Sequence, residues 1–236
     1  MSTIYTYVVD TTAPQTPRFT IPINTVTTND TTPTINGLSE SDSTVSIYHT
    51  HTAAGIADLL TASVVVNSNR EFSLSLSNPL QEGVHSFKAK AIDTAGNESD
   101  FSTTLLEFII DTTAPPSPNI SINPSTTALP FITVSSNLSS ESYPSHITYT
   151  STQGSSAPVS LGSFYITSTQ PSYTHSLSHR FTEGTYSITA TTTDTAGNTS
   201  SSSTPVIVTF DFTAPATPNI TFPLTNHVTQ NNQPTI

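Results

Sequence analysis

The sequence has no cysteine and no tryptophan, and its 5 basic residues face 16 acidic ones. Without cysteine there is no disulfide, no thiolate nucleophile and no Cys-based zinc site, and cysteine pairing says nothing of the redox compartment. A formal net charge of −11 leaves no cationic surface to neutralise phosphate or anionic lipid, which argues against nucleic acid and membrane surfaces as partners. No apolar run approaches the roughly 20 residues that a membrane-spanning helix needs, so no membrane insertion is expected. Met1 to Tyr5 has neither the basic region nor the apolar core of a signal peptide, so any export signal is expected outside this chain.

What the chain has in excess is hydroxyl. Ser and Thr make up roughly a third of it, a bias shared by mucin-like stalks and β-rich surface proteins, which periodicity tells apart. Asp-Thr-Thr-Ala-Pro runs from Asp10 to Pro14 and again from Asp111 to Pro115, and Asp-Phe-Thr-Ala-Pro from Asp211 to Pro215, at spacings of 101 and 100. Asp-Thr-Ala-Gly-Asn occupies Asp93 to Asn97 and Asp194 to Asn198, and Glu82-Gly83 recurs as Glu183-Gly184, both at an offset of 101. Three markers in one register identify a tandem repeat of about 100 residues.

Between the markers the residues alternate. His85, Phe87, Ala89 and Ala91 share one face, with Ser86, Lys88 and Lys90 on the other; Tyr186, Ile188 and Ala190 repeat the pattern against Ser187, Thr189 and Thr191. A period of two with one apolar face is a half-buried strand. Phe72, Leu74 and Leu76 are matched in the same way by Tyr173, His175 and Leu177. Strands are expected near Arg18–Ile23, Thr32–Gly37, Thr44–His49, Leu59–Val66, Glu71–Ser77, Val84–Ile92 and Leu105–Ile110, and no helical stripe competes with them. The fold class is therefore all-β, as tandem immunoglobulin-like seven-stranded antiparallel β-sandwiches. In the second unit Pro130 stands 97 residues after Pro33, which predicts a longer loop between its second and third strands.

The expected division is residues 1–10 as the last strand of a preceding repeat, 11–111 as module 1, 112–211 as module 2, and 212–236 as the start of a third. Ile4 to Val9 matches Leu105 to Ile110, and Gln233 to Ile236 matches Thr32 to Ile35. The pairs Pro14/Pro17, Pro115/Pro118 and Pro215/Pro218 lock φ where each module begins, favouring a semi-rigid entry or protecting an edge strand.

The pattern resembles the bacterial immunoglobulin-like repeats of giant secreted adhesins, whose modules open with Asp-x-Thr-Ala-Pro and carry Asp-x-Ala-Gly-Asn in a late hairpin. The resemblance covers nearly all of the chain. It implies a stalk at the bacterial cell surface or in the extracellular space, holding an adhesive region away from the cell, with calcium stiffening the joints between modules. Its partners would be neighbouring repeats of the same chain, with any host-cell or biofilm ligand met by regions outside it. One departure concerns the Tyr that caps a corner in many such sandwiches: it is present as Tyr186 but is His85 in the first unit, which puts the corner hydrogen bond there in question. The buried Trp and disulfide of antibody domains are absent.

In that topology the start of a module lies at the same end as the loops after its second and sixth strands. Asp111 is then expected near Asp194, with Glu141 close by, and Asp10 near Asp93, with Glu40 and Asp42 on the neighbouring loop. Clustered carboxylates repel unless a cation intervenes, and calcium accepts six to eight oxygen ligands in flexible geometry. Asp-Thr-Ala-Gly-Asn is equally a good hairpin turn, with Asp bonding its own backbone and Gly taking positive φ. Both readings stand, and they are compatible.

No catalytic residues are expected. No Gly-x-Ser-x-Gly elbow accompanies the seven His, and His49-Thr50-His51 reads as a solvated strand end rather than a metal pair. Lys88 and Lys90 are the only lysines, so the second unit cannot form a Lys-Asn isopeptide crosslink. A structural spacer is the leading expectation. The alternatives are a module that binds a glycan or host protein through loops such as His51–Asp58 or Asn137–Pro144, and an accessory module of a secreted hydrolase or a phage fibre.

Overall fold

The computed structural model describes residues 6–21, 25–51, 56–123, 130–135, 145–167, 172–177 and 179–219, with the side chains of all but 56–61 and 123. Among these residues there is no helix. The first unit carries β1 (Arg18–Ile21), β2 (Val26–Thr28), β3 (Thr34–Leu38), β4 (Thr44–His51), β5 (Ile56–Val65), β6 (Glu71–Ser75), β7 (Gly83–Ile92) and β8 (Leu106–Ile110). The second carries β9 (Asn119–Asn123), β10 (Phe131–Ser135), β11 (Ser145–Gln153), β12 (Val159–Ile166), β13 (Ser172–Ser176), β14 (Gly184–Thr193) and β15 (Val206–Phe210).

In the first unit a sheet ordered β1-β3-β6 faces one ordered β2-β8-β7-β4-β5; in the second, β9-β10-β13 faces β12-β11-β14-β15. The expected seven-stranded antiparallel plan holds for the second unit. The first departs from it: Val26 to Thr28 forms an eighth strand, parallel to Phe108–Ile110. Pro22, which has no N–H for a ladder, separates it in sequence from β1, and the chain passes from one sheet to the other.

Each pair of sheets encloses its own core. Phe19, Ile35, Ile47, Phe72, Phe87 and Phe108 lie in one, Ile132, Ile147, Tyr149, Phe181, Ile188 and Phe210 in the other, and the two clusters share no residue. The alternation is seen on β7, where His85, Phe87, Ala89 and Ala91 are buried, and on β14, where Tyr186, Ile188 and Ala190 are. On the outer faces hydroxyls pair across strands: Thr150 with Thr189 at 3.3 Å and Thr185 with Thr209 at 2.9 Å. In the first unit Lys88 and Lys90 instead lie over the Phe101 ring at 4.2 and 4.7 Å.

β10 is offset by 97 residues from β3, whereas Ile147 of β11 pairs with Thr192 as Val45 of β4 pairs with Ala91, an offset of 102, so the expected lengthening falls between these strands. The match of Tyr173 to Phe72 is looser: Tyr173 is 36% exposed and packs on Phe164 at 4.9 Å, whereas Phe72 is buried. The strand expected at Ile4 to Val9 has no ladder partner over residues 6–9, and Tyr7, Val8 and Val9 are exposed. Residues 1–5 and 220–236, including the counterpart of Thr32–Ile35 expected at Gln233–Ile236, lie outside the described residues, as do 52–55 and 137–144 of the two candidate ligand loops.

Separate cores predict separate responses. Ile47→Ala should destabilise the first sandwich by about 2–5 kcal/mol and Ile188→Ala the second by a similar amount. Hydrogen exchange followed strand by strand should report each loss in the mutated sandwich, with the other core keeping its protection.

Candidate functional site

After β7 the chain must reverse, and the residues for that turn are those of the second marker. Gly96 sits at φ +95°, a conformation L side chains rarely adopt, and its N–H donates to the Asp93 carbonyl at 3.3 Å. Asp93 Oδ1 accepts from the N–H groups of Ala95 (2.9 Å) and Asn97 (2.8 Å), and Oδ2 accepts from Asn97 Nδ2 at 2.8 Å. These bonds, the Asn97 side-chain amide foremost, hold the Asp93 carboxyl below its ordinary pKa. The second unit repeats the arrangement: Gly197 is at φ +95°, and Asp194 accepts from Asn198 N at 2.9 Å and Nδ2 at 3.0 Å.

A carboxamide nitrogen has two hydrogens, and the second goes to the linker. Asn97 Nδ2 donates to the Asp10 carbonyl at 3.2 Å, and Asn198 Nδ2 to the Asp111 carbonyl at 2.8 Å. The linker after β8 is also held from the module behind it. Glu82 Oε1 accepts from Thr112 N at 2.9 Å, from the Thr112 hydroxyl and from Thr113 Oγ1 at 3.0 Å. The Thr112 hydroxyl is the main reason the Glu82 carboxyl lies below its usual pKa. Glu183 bonds Phe212 N and Thr213 Oγ1 in the same way. The linker Asp111–Thr113 is therefore gripped on both sides, at Thr112 and Thr113 by the first unit and at Asp111 by the second.

Further bonds close the joint. Asp111 N donates to the Thr28 carbonyl at 3.0 Å, Asn29 N to the Ala196 carbonyl at 3.0 Å, and the hydroxyls of Ser117 and Ser201 lie 2.7 Å apart. Asp194, Ala196 and Asn198 are buried there, whereas Ala95, the first-unit counterpart of Ala196, is exposed.

The structure thus brings Asp10 to Asp93 and Asp111 to Asp194, but through the linker's backbone carbonyl and an asparagine rather than through paired carboxylates. The linker carboxylates cap their own turns: Asp10 Oδ1 accepts from Thr12 N and Asp111 Oδ1 from Thr113 N. Glu40 and Asp42 lie in the turn between β3 and β4, where the Glu40 carbonyl accepts from Ser43 and Asp42 takes φ +64°. Glu141 lies outside the described residues. Among those residues no group of three or more His, Asp or Glu is gathered as metal ligands. Sequence reasoning missed Asn97, Asn198, Glu82 and Glu183 as the gripping side chains. The signal for them was the constant offset of all three markers, which is what direct contact between markers requires.

Two expectations about histidine change. His49 and His51 are buried rather than solvated, because β4 runs on to His51 and turns both rings inward. The corner bond survives without Tyr: His85 Nε2 meets the Gln81 carbonyl at 2.7 Å, where Tyr186 bonds the Thr182 hydroxyl at 2.8 Å, each four residues back.

With β2, the sandwich and this late turn in place, the segment from residue 23 to residue 112 matches the family model described as bacterial Ig-like domain. No curated protein matches the chain. Among solved structures, the FN1–FN3 domains of chicken CNTN1 share 14% identity at a TM-score of 0.50, over 84% of this chain and 65% of that one. A titin fragment shares 13% at 0.50, over 83% and 66%. These two show the sandwich fold alone. A tetra-tandem repeat from the extending region of a large adhesion protein shares 20% at 0.35, over 86% of this chain. The chain spans 50% of the length of that solved chain. The Ig-like domain meets its neighbour at the turn that Asn198 closes.

Asn198→Ala removes both bonds of a buried amide and is expected to cost about 1–3 kcal/mol in the second sandwich. Amide exchange at Ala196 to Asn198 should quicken, and the same residues in Asn97→Ala should stay as in the parent.

Proposed function

We propose that this chain is a spacer segment of a bacterial surface or secreted adhesin, with Ig-like modules at 11–111 and 112–211 and residues 1–10 and 212–236 belonging to neighbouring modules. The role is mechanical rather than catalytic: the modules set the distance between a cell and an adhesive region outside this chain, and their partners are further repeats. The observation that carries this reading is the two-sided grip on Asp111–Thr113. A linker left to water would bend at little cost, whereas this one must break bonds to Glu82, Asn198 and Thr28 before it can swing. Pro115 and Pro118 narrow its backbone freedom further.

Calcium belongs to the same reading as an additional stiffener. It would draw on the carboxylates of Asp10 or Asp111 and nearby carbonyls, since Asp93 and Asp194 already accept several hydrogen bonds from their own turns. At about ten times Kd it would add only about 1.4 kcal/mol per site.

Small-angle scattering tests the spacer. The parent chain should show a narrow distribution of maximum dimension, and Glu82→Ala combined with Asn198→Ala a broad one with both sandwiches still folded. Equal distributions would remove the grip as the source of stiffness, and saturable binding of a glycan or host protein by the isolated chain would replace the spacer by a ligand-binding module. Melting in calcium and then in chelator tests the ion separately: a rise of a few degrees is expected, and no shift would remove calcium from the reading.

A further inference from the structure

The first sandwich contains a group that its spacer role does not use. His49, His51 and His85 are all buried and in mutual contact: His49 Nε2 lies 2.7 Å from His85 Nδ1, and the rings of His51 and His85 are 4.0 Å apart. His51 Nε2 has no hydrogen-bond partner, and the space beside it is where a Cβ on Gly83 would fall, 3.1 Å away.

The partners dictate the protons. His85 Nε2 faces the Gln81 carbonyl, which can only accept, so that nitrogen carries the hydrogen. His85 Nδ1 is then bare, and His49 Nε2 must donate to it. With His85 neutral the relay runs in that direction; a second proton on it would reverse the bond onto a bare His49 Nε2 and leave an imidazolium buried inside the sandwich. A proton on His49 would likewise be a charge buried away from water, beside two further imidazoles.

No opposite charge among the described side chains is placed to relieve this. Glu82 is bonded to Thr112 and Thr113, and Glu107 on β8 to Thr25 and Ser86. Lys88 and Lys90 lie over Phe101 on the outer face. Asp58, on β5 beside β4, is outside the described side chains.

We propose that these three histidines are an acid-sensitive latch on the joint: as pH falls from about 7 to 5, the corner at 81–85 opens and the grip of Glu82 on the linker slackens. The coupling is short, since Gln81, which receives the His85 bond, is the residue before Glu82. Burial first, then the neighbouring His85 and His51, lower the His49 pKa to about 4, and burial lowers that of His85. With an ordinary value of 6.5 once opened, the opened corner takes up protons that the closed one refuses. Stability from the closed latch is thus full above about pH 6.5 and lost as pH falls toward 4.

The second sandwich supplies the control. There the corner ring is Tyr186, buried Ser151 pairs with Ile188 as His49 pairs with Phe87, and Gln153 approaches Gly184 as His51 approaches Gly83. None of these three is a histidine.

Hydrogen exchange on the full chain at pH 7.5 and 5.0, corrected for intrinsic rates, tests the latch. Amides of 81–85 and 112–113 should lose protection on the order of ten-fold more than those of 182–186 and 212–213. In the variant carrying His49→Ser, His51→Gln and His85→Tyr the two joints should respond alike. Equal responses in the parent, or an excess that persists in the variant, would overturn the proposal, as would loss of the excess in Asp58→Asn. Should the triple variant fail to fold, imidazole NMR titration decides: midpoints of His49 and His85 below the ordinary 6.5 support the latch, and midpoints at or above it overturn it.

Discussion

Both sandwiches rest on one constraint: with 33% of residues hydrophobic, each strand can bury only one of its two faces. The period of two directs the scarce apolar side chains inward and leaves the rest to be hydroxyls, which satisfy one another across strands where longer polar chains would lose more entropy. The long β7 and β14 tie the two sheets' cores to the turns that follow them, so the rigidity of each core reaches the chain's joints. Among the described residues, Ser and Thr on the outer sheet faces are part of the sandwiches' own alternation.

At the joint the same economy appears in a different form. A single asparagine closes its own turn with one hydrogen and holds the neighbouring linker with the other, while a glutamate from the module behind holds the next two residues. Direction matters here: the linker is held by groups of opposite modules at adjacent positions, so a bend in either sense strains at least one set of bonds. The two copies differ in how far the joint is closed. Asp194, Ala196 and Asn198 are buried in the turn that Asn29 meets through the Ala196 carbonyl, while in the equivalent turn at 93–97 Ala95 is exposed and Asn97 keeps the linker bond.

The two corners show how one structural task is met by groups of different chemistry. Tyr186 and His85 each reach four residues back to hold the approach to the sixth main strand of their sandwich. One does this with a phenol hydroxyl and the other with an imidazole N–H, whose second nitrogen meets a further buried histidine.

The sequence by itself determined the repeat length, the main strands, the inward residues of β7 and β14 and the position of the lengthened loop, because a period of two and a constant offset are local and need no knowledge of partners. It also marked the residues of the joint without their roles. That Asn198 reaches the Asp111 carbonyl, or that Glu82 reaches Thr112, depends on contacts across 87 and 30 residues, which only the folded topology brings together. The parallel strand at Val26–Thr28 and the burial of His49 and His51 were likewise decided by tertiary structure. A three-residue strand has too little pattern to read, and whether a histidine at a strand end is solvated or stacked depends on what the opposite sheet leaves open to it.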